Sequence, residues 1–458
     1  MRVAAAEKDP VVSTQPSSPP PPPQQCDVIV AGGGPAGCTV AGLLSLRGWS
    51  VTLLEKDRHP RFHIGESLLP MNLPILQRLG LLEAVERIGV RKAGADFPAP
   101  TPDGYNVFRF RRALDASWPY AYQVRRDEFD KLLFDHATLN GVHSFQGHRV
   151  ISVNLADTAV SAKVQSDDGR VFDCTARYFV DATGRDTLLG NHLRLKRKSS
   201  RHQSAALFAH FHGVERRPGP DAGNISIYRF QHGWVWVIPL RNGVTSVGAV
   251  CWPDYLKQRR SENKEFLLQT LRSIPQLRQR MEHAEMAGNL HATGNYSYAC
   301  SRMVGPRWIM TGDSYAFVDP IFSSGVYLAM HSAESAARVI DGALREPASA
   351  RKLQRSYERE IKRGLRIFSW FIYRFTSPAM RRLFADPRND LQIEQAMISM
   401  LAGDIYRDNG VLWRLRIFKL IYLTTALGGL REQARAFRLR RRQARAGFDG
   451  GTTSQDSA

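Results

Sequence analysis

Cys26-Asp-Val-Ile-Val-Ala31-Gly32-Gly33-Gly34-Pro35-Ala36-Gly37 decides the fold. Its first half is a short, unbroken, β-branched run, the pattern of a strand buried on both faces of a parallel sheet. Its second half has G-x-G-x-x-G spacing. Gly32 permits a tight turn, Gly34 lets the backbone approach a pyrophosphate, and Gly37 lets the next helix pack on the strand. Ala36 occupies the same turn. Cys38 to Gly48 has helical spacing, so a helix N-terminus would offer its free N–H groups to the phosphates. Ser50-Val-Thr-Leu-Leu54 reads as a second strand, closed by Glu55 and then Lys56. A carboxylate at that strand end can accept hydrogen bonds from ribose hydroxyls. Strand, turn, helix and acid stand in register, which a glycine-rich turn without a ligand does not require.

Farther along, Arg307-Trp-Ile-Met-Thr-Gly312-Asp313 reads as a strand ending in Gly-Asp. Ser314-Tyr-Ala-Phe-Val-Asp-Pro320, Ile321-Phe-Ser-Ser-Gly325 and a helical run from Val326 to Arg338 follow. The series resembles the second FAD motif of glutathione-reductase-type flavoproteins. The branch in question holds aromatic hydroxylases, geranylgeranyl reductases and flavin-dependent halogenases. The resemblance implies FAD as cofactor, with Asp313 on the ribityl chain and the next helix aimed at the flavin. A helix N-terminus there stabilises a reduced, anionic ring. Val124-Arg-Arg126-Asp-Glu-Phe129-Asp130 resembles the family's Arg-x-x-Phe-Asp signature, which implies Arg126, or alternatively Arg125, near the cofactor. Asp181-Ala-Thr-Gly184 resembles a strand end that approaches FAD.

Two further strings narrow the branch. Phe62-His-Ile-Gly65-Glu66-Ser67-Leu-Leu-Pro70 follows the first βαβ unit, and Trp234-Val-Trp236-Val-Ile238-Pro239 lies on a strand. With the loop Ser323-Ser324-Gly325, they resemble flavin-dependent halogenases acting on phenols, pyrroles and carrier-bound substrates. The resemblance spans nearly residues 26–400. It implies that reduced FAD and O2 oxidise halide to hypohalous acid, that the Ser323–Gly325 backbone helps hold halide, and that a lysine captures or orients the acid. Glu66, Ser67, Trp234 and Trp236 are the candidate catalytic residues. Strand alternation puts Trp234, Trp236 and Ile238 on one face, where two large rings could roof a cavity or simply pack the core. One element departs from the pattern. Residues 65–80 contain no lysine; the expected positions fall on Pro74 and near Gln77. Arg78 and Lys92 would have to substitute, and neither has supporting spacing.

Bulk properties bound the rest. The 458 residues suffice for one large core or two fused ones, and the formal net charge of +20 implies an acidic partner, surface or substrate. Five scattered cysteines without a CxxC pair predict neither a disulfide framework nor a metal site, and fit a reducing cytoplasm. The expected fold class is α/β: a Rossmann-type FAD domain with an inserted antiparallel-sheet substrate domain and a helical C-terminal region. Its expected parts are a disordered leader 1–25, an FAD domain from 26–190 and 290–345, a substrate domain 191–289, a helical region 346–445 and a disordered tail 446–458. The Ile417–Leu427 run is too short to cross a bilayer. Arginines from Arg431 to Arg445 cluster beside aromatic-rich helices. Such a region fits a solvated tail, an acidic acyl carrier protein, or peripheral contact at the inner face of a membrane. Nothing but charge speaks for nucleic acid, so none is expected.

Three readings follow: a halogenase in secondary metabolism, a flavin monooxygenase or geranylgeranyl-reductase-like enzyme without halide transfer, and a non-catalytic flavin-binding subunit. The expected substrate is an aromatic or polyene molecule, free or on an acyl carrier protein. Electrons would come from a flavin reductase or NAD(P)H.

Overall fold

The computed structural model describes residues 21–99, 101, 104–199, 203–294, 297–385 and 389–446. Most of the expected leader and tail lies outside these residues.

Gln25–Ala31 lies inside an eight-stranded sheet, parallel to Val51–Glu55 on one side and Val171–Asp181 on the other. His143–Gln146 and Trp308–Met310 extend the parallel part. Val160–Ser166 and His148–Leu155 fold back antiparallel beside Val171–Asp181. Val28, Ile29 and Val30 are fully buried, because helices Pro35–Ser45 and Ser324–Arg345 pack together over this part of the molecule. Burial of successive residues is what the unbroken apolar run requires.

The turn glycines act as their spacing predicts. Gly32 has φ of +104°, and a Cβ there would lie 2.3 Å from the Ala182 carbonyl oxygen. A Cβ on Gly37 would lie 1.8 Å from the Gly32 carbonyl oxygen, so only glycine lets the helix sit this close.

A second sheet holds seven strands in the order Glu285–Thr293, Ala205–His212, Thr245–Cys251, Gly233–Pro239, Ile225–Phe230, Gly94–Pro98 and Tyr105–Arg109. Its central hairpin turns at Arg241-Asn242-Gly243-Val244. Asn242 and Gly243 have φ of 58° and 71°, and Val244 N–H donates to the Arg241 carbonyl at 3.2 Å, the pattern of a type I′ turn. The expected boundaries need adjusting. Two strands of this sheet, Gly94–Pro98 and Tyr105–Arg109, come from the stretch assigned to the FAD domain, and Glu285–Thr293 runs past residue 289. The pairing of Ile225–Phe230 with Gly94–Pro98 is non-local, and no local pattern announces it.

Strand alternation divides the second sheet's neighbours. Trp234, Trp236 and Ile238 join a core built with the C-terminal helices, including Phe368, Phe371, Phe375 and Phe418. Val235 and Val237 face the opposite core, with Phe266 and Leu267 of helix Asn263–Arg272. The C-terminal aromatics therefore close one side of the second sheet.

Candidate functional site

A long groove runs along the carboxyl ends of the parallel strands, where open α/β sheets bind their ligands. Its cavity of about 650 Å³ is lined by Gly32, Gly34, Glu55, Lys56, Arg61, Arg126, Thr183 and Arg185, among others. Gly34 faces open space there: only an Arg61 guanidinium nitrogen, at 3.6 Å, lies near where a Cβ would point. Glu55 is buried. Its Oε2 accepts the Gly33 N–H at 2.6 Å, and its Oε1 accepts the Asp57 N–H at 2.9 Å. Lys56 reaches across the groove wall to Asp186 at 2.7 Å.

A smaller cavity of about 120 Å³ continues the groove, since His63, Arg126 and Arg185 line both. Gly65, Glu66, Ser67, Trp234, Trp236, Ile238, Asp313, Ser323 and Gly325 line this second part. Distant pieces of sequence thus meet at one space. The indole rings of Trp234 and Trp236 stand 5.8 Å apart. Trp236 Nε1–H donates to Ser246 Oγ at 3.1 Å, which fixes its ring. Ser323 adopts a left-handed conformation, φ 56°, and helix Ser324–Arg345 starts from it. The helix thereby begins two residues before Val326, with Gly325 in its first turn. Nothing would meet a Cβ on Gly325 within 4 Å. First-turn N–H groups beside open space make an anion seat.

Charge is arranged unevenly around this cavity. Arg126 begins helix Arg126–Leu139 and forks onto Asp130 at 2.7 and 2.8 Å, while its Nη1 donates to the Ile64 carbonyl at 2.5 Å. Phe129 and Asp130 share its buried face, three and four residues on. Burial would raise the Asp130 carboxyl, but Arg126 and Arg61 outweigh it and hold the group below its usual range. Arg125 instead pairs with Asp127 at 2.7 Å and lines neither cavity, whereas Arg126 lines both. Burial pushes Asp313 up to about 7, against the pull of Arg185 and Arg126. Burial pushes His63 down to about 4. Glu66 Oε1 lies 2.8 Å from His210 Nε2 on the second sheet.

The structure also supplies a lysine where the sequence offered none. Lys92 ends the short strand Val90–Lys92 and is 1% exposed. Its Nζ donates to Ser67 Oγ at 2.9 Å and to the Leu68 carbonyl at 3.1 Å. The Phe110 ring lies 5.4 Å from it. Among the described residues no carboxylate pairs with it, and burial lowers it to about 7. Arg78, the other substitute considered, is half-exposed and bound to Glu334 at 2.5 Å.

Several expected residues line neither cavity. Asp181 holds a turn: its carboxylate accepts N–H bonds from Thr183 and Leu189 at 3.0 and 2.7 Å. Gly312 packs on Ala329 of the long helix, and its N–H donates to Ser332 Oγ at 2.8 Å. Ala36, Gly37 and Ser324 pack beside the cavities without lining them. Conversely, Arg61, His63 and Arg185 line the groove and were not singled out. His63 stands inside a quoted string and Arg185 directly follows another; Lys92, which ends the short strand Val90-Arg91-Lys92, carries no local signal.

Comparison with known proteins agrees with this geometry. The family model described as an FAD binding domain matches residues 25–366. A flavin-dependent halogenase of Penicillium aethiopicum is 34% identical over 366 residues, covering 73% of this chain and 68% of that protein. The 1H-pyrrole-2-carbonyl-(peptidyl-carrier protein) chlorinase of Pseudomonas fluorescens is 29% identical, covering 81% of this chain and 88% of that protein. Among solved structures, the myxobacterial chondrochloren halogenase CndH superposes with a TM-score of 0.73 at 31% identity, over 83% of this chain and 91% of that one. A flavoprotein/dehydrogenase from Cytophaga hutchinsonii gives 0.81 at 28% identity, over 88% of this chain and all of that one. The open approach at Gly34 in the groove and at Gly325 in the cavity that continues it fits an extended dinucleotide, and FAD is the cofactor. This chain is an FAD-dependent enzyme of the flavin-dependent halogenase family.

Proposed function

We propose that the enzyme halogenates an electron-rich aromatic or conjugated substrate, with Lys92 as the residue that delivers the halogen. The observation that carries this reading is the buried Lys92 ammonium on Ser67 Oγ: Lys92 itself lines neither cavity, but Ser67 lines the small one together with Trp234, Trp236, Ser323 and Gly325. In the groove, Gly32 and Gly34 would receive the pyrophosphate, Glu55 the ribose, and Asp313 and Arg126 the ribityl end. When bound in reduced form, FAD with O2 supplies the oxidising equivalent that turns halide into hypohalous acid. The first turn at Ser324 and Gly325 seats the halide through its N–H groups. The two indoles keep water from the acid. An amine poised near neutrality suits Lys92: its free base takes up electrophilic halogen, and its ammonium form hydrogen-bonds hypohalous acid. Glu66, steadied by His210, accepts the proton that the ring loses when halogen replaces it.

The pyrrolyl-carrier chlorinase among the relatives supports a substrate held on a carrier protein. Electrons would reach the flavin from a separate reductase or from NAD(P)H. A second reading, oxidation without halide, draws on the likeness to the Cytophaga flavoprotein/dehydrogenase. The test supplies reduced FAD, O2 and bromide with phenol- and pyrrole-carboxylate probes, free and carrier-bound. A monobrominated product with the bromine isotope doublet is expected. Hydroxylated product alone, or reaction indifferent to halide, would select the second reading.

A further inference from the structure

The last two helices, Val411–Leu427 and Leu430–Ala446, wear their polarity the wrong way round for a protein in water. Thirteen large apolar side chains are exposed among the described residues, and seven of them lie between Trp413 and Leu439. Leu420, Leu423 and Leu427 fall at i, i+3 and i+7 on one face of the first helix, each more than half exposed. Leu430 and Phe437, 61% and 65% exposed, continue the apolar surface on the second. The opposite face of the first helix is the buried one: Leu415, Phe418 and Tyr422 join the core that holds the two tryptophans.

The second helix meets the protein through polar groups instead. Gln443 bonds both the Asp254 carboxylate, at 2.7 Å, and its N–H, at 3.0 Å. Arg440 bonds the Tyr373 carbonyl and Thr376 Oγ1. Glu432 pairs with Arg382 at 2.9 Å. It is the one acidic residue between 411 and 446. Arg431, Arg435, Arg438 and Arg441 are exposed and form no ion pair among the described residues. Polar anchors inward, leucines and phenylalanine outward, and unpaired arginines beside them match a helix lying in the headgroup layer of an anionic bilayer. The charge demands an anionic partner. The apolar stripe stands on a helix ridge rather than lining a groove, so it suits insertion among acyl chains better than reception of a folded protein's helix. No described helix is long and apolar enough to cross a membrane, so the contact is peripheral.

We infer that helices Val411–Leu427 and Leu430–Ala446 dock the enzyme on anionic lipid, whatever the halogenated substrate is. The test floats the FAD-loaded full chain with vesicles of phosphatidylcholine alone or mixed with phosphatidylglycerol, at low and high salt. Binding is expected only to the anionic vesicles, weakening as salt rises. Arg435→Gln with Arg438→Gln and Arg441→Gln should weaken it roughly a hundredfold. Leu420→Ser with Leu423→Ser and Leu427→Ser should weaken it at least tenfold, on the order of the lost apolar burial. Both variants should keep their FAD. Should the leucine variant fail to fold, the arginine variant decides alone. Absence of binding to anionic vesicles overturns the inference, as does binding that both variants retain. Loss of binding to an acidic acyl carrier protein in the arginine variant, with vesicle binding intact, would assign the surface to that protein and overturn it too.

Discussion

The two parts of the groove are built on opposite principles. The larger part is wide and rich in charged side chains: the glycine turn and the Glu55 strand end, from residues 31 to 63, meet Arg126 and the stretches 148 to 153 and 182 to 192. The flavin end is small and largely apolar, and it gathers side chains from residues 63 to 67, 126, 185, 234 to 238 and 313 to 326. Recognition of a pyrophosphate needs close backbone approach, which a short turn supplies. Control of a reactive oxidant needs walls, dryness and one placed amine, which only several chain segments together can supply. Binding and chemistry should therefore fail separately when either part is damaged.

The sharpest break is Lys92→Met. The thioether fills much of the buried volume but offers neither an amine nor a donor to Ser67. Halogenated product should fall by roughly 10²–10⁴-fold, the usual worth of a placed proton-transfer or nucleophilic group. FAD content and O2 consumption should stay near wild type. Equal loss of flavin would remove the separation of the two parts.

The glycines provide the next contrast. Gly37→Val forces a side chain against the Gly32 carbonyl and should destabilise the FAD-free protein by about 3 kcal/mol or more, read as a fall in Tm. Gly34→Val meets open space, so the FAD-free Tm should hardly move while FAD affinity drops at least tenfold, roughly the cost of blocking one close backbone contact. A Gly34 variant with unchanged FAD affinity would show that the pyrophosphate lies elsewhere.

Asp313 lines the small cavity, just beyond the Trp308–Met310 strand. Asp313→Ala should weaken FAD retention by about tenfold, the worth of one or two hydrogen bonds. Retention is read from the flavin absorbance left after gel filtration.

The smallest effect is the pH dependence. Burial lowers Lys92 from 10.5 to about 7. Between those values the unfolded chain binds the extra proton, so the stability contributed by this group rises with pH through that window. Lys92→Met should flatten the rise: the variant's Tm advantage over wild type should be greatest near pH 6 and shrink as the solution is made alkaline, about one proton's worth of linkage. A constant offset across pH would mean that Lys92 is solvated and ordinary.

Much of this was legible in the chain. The Cys26–Ala31 strand, the glycine turn, Glu55, the tryptophan strand with its Asn242-Gly243 turn and the Gly312-Asp313 strand end are all local patterns. Each rests on backbone conformations or periodicities fixed within about ten residues. Arg126 was reached through resemblance to the family's Arg-x-x-Phe-Asp signature, and its partners Phe129 and Asp130 lie on the same helix. The lysine was not. Lys92 serves Ser67 from 25 residues away, through a strand whose pairing with Ala121–Gln123 leaves no local mark. Asp181 and Gly312 were read as cofactor contacts, and the structure instead gives them packing and turn-holding duties.

The sequence by itself determined that this chain forms a dinucleotide fold, because phosphate recognition is written in short-range backbone geometry; FAD followed from its resemblance to known flavoproteins. Only the tertiary structure decided that Lys92 reaches Ser67. It alone decided which strands complete the second sheet, and that the outermost helices turn their leucines to solvent. Those are properties of distant segments brought together, and desolvation, which gives Lys92 its unusual character, exists only after they meet.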